Sequence, residues 1–124
     1  LRAARSIFPG PHVEALGASQ PHPHQVAAFA ATTAEADVDT ADAIRIHLHH
    51  LASSVLGAAV RLHGLDPFRA QAMQAAERDR CAAIVADAMA MATAPWRDLP
   101  APTGPLTEIL AEVHATADGR MFRS

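Results

Sequence analysis

Between Asp39 and Gly64 the apolar residues Ile44, Leu48, Leu51, Val55, Ala58 and Leu62 recur at alternating intervals of four and three. An α-helix makes about 3.6 residues per turn, so this rhythm draws all of them into one stripe. A strand would need apolar residues at every second position, and no such alternation occurs in the chain. The stripe therefore predicts a long helix that packs along one side against another helix. Its ends are marked as well. Asp39 can accept from the free N–H groups of the first turn, and Asp42 sets a second carboxylate against the positive end of the helix. At the far end, His63-Gly64-Leu65 offers a glycine for the left-handed residue that closes many helices.

The flanking segments read in the same terms. Leu1-Arg2-Ala3-Ala4-Arg5-Ser6-Ile7-Phe8 looks like the end of a helix whose start lies upstream, stopped by Pro9-Gly10-Pro11. A loop is expected from there through Gly17-Ala18-Ser19-Gln20 to Pro21-His22-Pro23. An alanine-rich helix with Val26 and Phe29 follows, from about His24 to Thr33. Asp66-Pro67 is a strong start signal, with Asp as the cap and Pro at the first helical position. That helix is expected to run to about Thr93, solvated at Glu77-Arg78-Asp79-Arg80 and burying Cys81, Ile84, Val85, Ala88 and Met91. Pro95, Pro100, Pro102 and Pro105 make a stiff connector, and a last helix from Pro105 sets Leu106, Ile109, Leu110 and Val113 on one side. The expected fold is thus all-α: a helical bundle of about four to five helices, one domain over residues 1–124, and a fragment of a larger all-helical protein.

Composition narrows the function. Half of the residues are apolar, which argues against a disordered chain. No apolar run is long enough to predict a membrane span, and Leu1-Arg2-Ala3-Ala4-Arg5 lacks the hydrophobic region of a signal peptide. A net charge of −3, with arginine as the sole basic residue apart from histidine, leaves no electrostatic footprint for nucleic acid. The single Cys81 cannot form an internal disulfide and fits a reducing cytoplasm. No Gly-rich phosphate loop or nucleophile motif appears, so no enzymatic activity is expected.

The eight histidines raise the question of a metal. His47 and His50 lie three apart and share a helix face, while His22 and His24 sit in a Pro-rich loop. Two imidazoles are a thin ligand set, so no resident metal or cofactor is expected. His47, His50, Ser54, Gly57 and Arg61 also form a polar stripe beside the apolar one. It reads either as a partner groove or metal route, or as the solvated side of an amphipathic helix. Cys81 reads as a small buried hydrophobe, and Met73, Met89 and Met91 as core filler.

Four stretches, taken in order, resemble one family. They are Leu1-Arg2-Ala3-Ala4-Arg5-Ser6-Ile7-Phe8-Pro9, then Pro21-His22-Pro23-His24-Gln25-Val26-Ala27, then the run from Ile46 to Leu62, and last the run from His114 to Ser124. Their order and spacing are similar to the C-terminal portion of the urease accessory protein F family. Two positions depart from its pattern: no Gly stands between Gly17 and Gly57, and Ala115 replaces a Glu after His114.

The resemblance implies an all-helical adaptor in nickel insertion into urease. Such a protein bridges the accessory protein D (H in some species) and the GTPase accessory protein G, acts on the urease apoprotein, and forms a homodimer. It also implies that the tail docks on a partner, with Arg120, Met121, Phe122, Arg123 and Ser124 as contacts, His114 as a helper and Arg61 as a basic position on the long helix. The alternative is a small cytoplasmic His-rich helical protein that binds metal directly.

Overall fold

The computed structural model describes residues 1–100 and 104–116. It divides the chain into two compact units, Leu1–Thr93 and Ala94–Ser124. The first holds α1 (Arg2–Ile7), α2 (Pro11–Ser19), α3 (Gln25–Glu35), α4 (Thr40–His63), α5 (Pro67–Ala76) and α6 (Arg78–Met91). The second holds one 3-10 turn, Trp96–Asp98, and α7 (Pro105–Thr116). Every regular element among the described residues is helical, and the fold is all-α.

The long helix forms as its sequence predicts. The Asp39 carboxylate accepts from the backbone N–H of Ala41 at 2.9 Å and of Asp42 at 3.4 Å. Gly64 closes the helix at φ 65°, in the left-handed region. Asp66 caps α5 in the same way as Asp39, accepting from the N–H groups of Phe68 and Arg69.

Among the described residues there are seven α-helices rather than four to five, for two reasons. First, the expected loop after Pro11 is a helix. Pro11 sits at its first turn, and the Glu35 side chain caps it from α3 by accepting the N–H groups of His12 and Val13. A cap supplied from 22 residues away is a tertiary event and leaves no mark in the local sequence. Second, the helix expected to run from Pro67 to about Thr93 is broken at Glu77. There the Glu77 N–H bonds to the Gln74 carbonyl, three positions back, at 3.3 Å, and the backbone sits at φ −81°, ψ 3°. No proline or glycine marks the break. The charged run that follows is exposed, so water can serve the carbonyls that the ladder leaves free.

The core of the first unit is thin. Val13, Ala70 and Val85 are the fully buried apolar residues among those described. Val13 lies on α2, which packs on α3; Ala70 and Val85 lie on α5 and α6, which both pack on α4. Small side chains of this kind let helices approach closely, but a buried valine contributes only about 1.5–3 kcal/mol.

The apolar stripe of α4 is only partly used. Ile44 and Leu48 are half-buried, whereas Leu51, Val55 and Leu62 are 53%, 67% and 60% exposed. Along this stretch α5 meets a neighbouring face of α4 instead, through Gln74 against His49 and Ser53. A similar correction applies to α6, where Val85 is buried but Ile84 is 41% exposed and Cys81, Ala88 and Met91 are half-buried.

Candidate interaction surface

The polar stripe of α4 does not behave as one unit. His47 is half-buried and its ring lies 5.4 Å from that of Phe29, centroid to centroid. It belongs to the junction of α3 and α4, where Val26, Phe29, Val38, Ile44 and Leu48 line an apolar groove of about 260 Å³. His50, Ser54 and Arg61 are exposed. The Ser54 hydroxyl donates to the His50 carbonyl at 2.8 Å, the usual bond for a serine in mid-helix. Gly57 stands in the middle of this strip, and a methyl group added there would meet nothing within 4 Å. Arg61 makes no ion pair among the described residues.

On another side of α4 a cleft of about 400 Å³ opens toward α5 and α6. Its polar element is Gln74, whose amide nitrogen lies 2.9 Å from His49 Nδ1, 3.2 Å from the His49 carbonyl and 2.8 Å from Ser53 Oγ. An amide has two hydrogens, so these acceptors share them. His49 Nδ1 can accept only while it carries no proton. Arg45 and Arg78 stand at the same cleft with Cys81, which is free and half-buried. Arg45 is tied to Asp42 at 2.6 Å on the same helix.

None of this assembles a ligand set. No group of three His, Cys, Asp or Glu side chains that could hold a metal occurs among the described residues. His47 and His50 do share a flank of α4, but one is engaged with Phe29 and the other faces solvent. His22 and His24 are exposed in the loop before α3. Met73 and Met89 are exposed rather than buried as filler, and Met91 is half-buried.

In the second unit α7 starts at Pro105, as its proline predicts. Leu106, Ile109, Leu110 and Val113 are each between 58% and 69% exposed. His114 is exposed in the last turn of the same helix. Arg120, Met121, Phe122, Arg123 and Ser124 lie outside the described residues.

Sequence reasoning missed two surface features. One is the Glu35 cap on α2, which has no local signal. The other is the open part of the α4 stripe; its periodicity was visible, but which face α5 would choose was not. No helix among the described residues is long and apolar enough to cross a membrane.

No curated protein and no solved structure matches the chain. The family model described as UreF matches residues 1–77, the stretch that carries α1 to α4 and closes at the end of α5. That match covers more than half of an all-α chain, and the chain belongs to the UreF family of urease accessory proteins.

Proposed function

We propose that the chain is an adaptor in urease maturation, which holds the accessory protein D (or H) and the GTPase accessory protein G together while nickel is delivered to the urease apoprotein. It catalyses no reaction of its own, works in the cytoplasm and acts as a homodimer. Nickel is cargo here and not a resident cofactor. The observation that supports this reading best is the distribution of apolar surface. Large side chains on α4, α5 and α7 stand open to solvent, while the buried core of the described residues is built from three small ones. Extended apolar surface on a small helical scaffold is the mark of a protein that completes its packing with partners.

Arg61 and His114 are the described residues assigned to partner binding, and Arg120, Met121, Phe122, Arg123 and Ser124 are assigned with them. Arginine suits this task because its planar fork binds carboxylates and carbonyls bidentately, and it is enriched among interface hot spots. The test removes residues 120–124 and, separately, replaces Arg120 with alanine. Each variant is used in pull-downs with the D/H and G proteins and in urease activation in cells. The truncation should abolish recruitment and leave helical content nearly unchanged. Arg120→Ala alone should weaken binding by on the order of 2 kcal/mol. Undiminished complex formation by the truncated chain would remove the tail from the interface.

A further inference from the structure

We draw no further inference here: the strongest candidate, the cleft of about 400 Å³ between α4, α5 and α6 that is lined by Arg45, His49, Gln74, Arg78 and Cys81, selects no class of ligand, because Arg45 is already bound to Asp42, Gln74 is taken up by His49 and Ser53, and Cys81 is a lone thiol.

Discussion

The carboxylate of Glu35, at the end of α3, accepts the backbone N–H of Val13 at 3.3 Å, and Val13 is a fully buried side chain. One acidic group thus closes the N-terminus of α2 and holds its buried residue against α3. The same oxygen accepts from the His12 N–H and lies 3.2 Å from His12 Nδ1. Gly10 makes room for it, because a methyl group there would run into the Glu35 carboxylate.

Glu35→Ala should therefore destabilise the first unit by about 1–2 kcal/mol, the range for loss of a helix N-cap. Gly10→Ala should cost a similar amount by displacing the same carboxylate, and the double variant should cost little more than either single one. Chemical denaturation of the full set measures this. Additive losses would show that the two residues act independently.

Left-handed backbone gives a second expectation, with opposite signs at two positions. Gly64 sits at φ 65° and ends α4, so Gly64→Ala should lower stability by about 1 kcal/mol. Asp37 sits at φ 52° between α3 and α4, where a side chain is already tolerated. Asp37→Gly should raise stability by up to about 1 kcal/mol through relief of the left-handed strain. Thermal melts of the two variants should move in opposite directions.

Gln74 should matter more than its place on a half-open helix suggests. Its amide ties α5 to both His49 and Ser53 of α4. Gln74→Ala should cost about 1 kcal/mol, the net value of a hydrogen-bonded polar link, and should raise amide exchange across α5. His50→Ala, on the exposed strip, should stay within about 0.5 kcal/mol of the unmodified chain.

Nickel calorimetry tests the alternative reading of the histidines. Replacing His47 and His50 together with alanine should change nickel binding little, since one ring is engaged with Phe29 and no third ligand joins them among the described residues. Micromolar binding by the unmodified chain that vanishes in the double variant would make the protein a direct metal binder.

The amino-acid sequence by itself determined the elements whose causes are local. Asp39, Gly64, Asp66 and Pro67 mark the ends of α4 and the start of α5 because caps and left-handed residues act within a few positions of themselves. Pro105 marks the start of α7 for the same reason. The all-α class followed from the three-and-four rhythm of apolar residues, which no strand can use. Only the tertiary structure decided what depends on residues far apart in the chain. Helix α2 owes its cap to Glu35, more than twenty positions away. The break at Glu77 has no proline or glycine to announce it. Most of all, periodicity says that Leu51, Val55 and Leu62 share a face, but not whether that face meets α5 or stays open. Packing of Gln74 and Ala70 chose the neighbouring face, because small residues and a polar link let two helices come close there, and the larger apolar stripe was left at the surface.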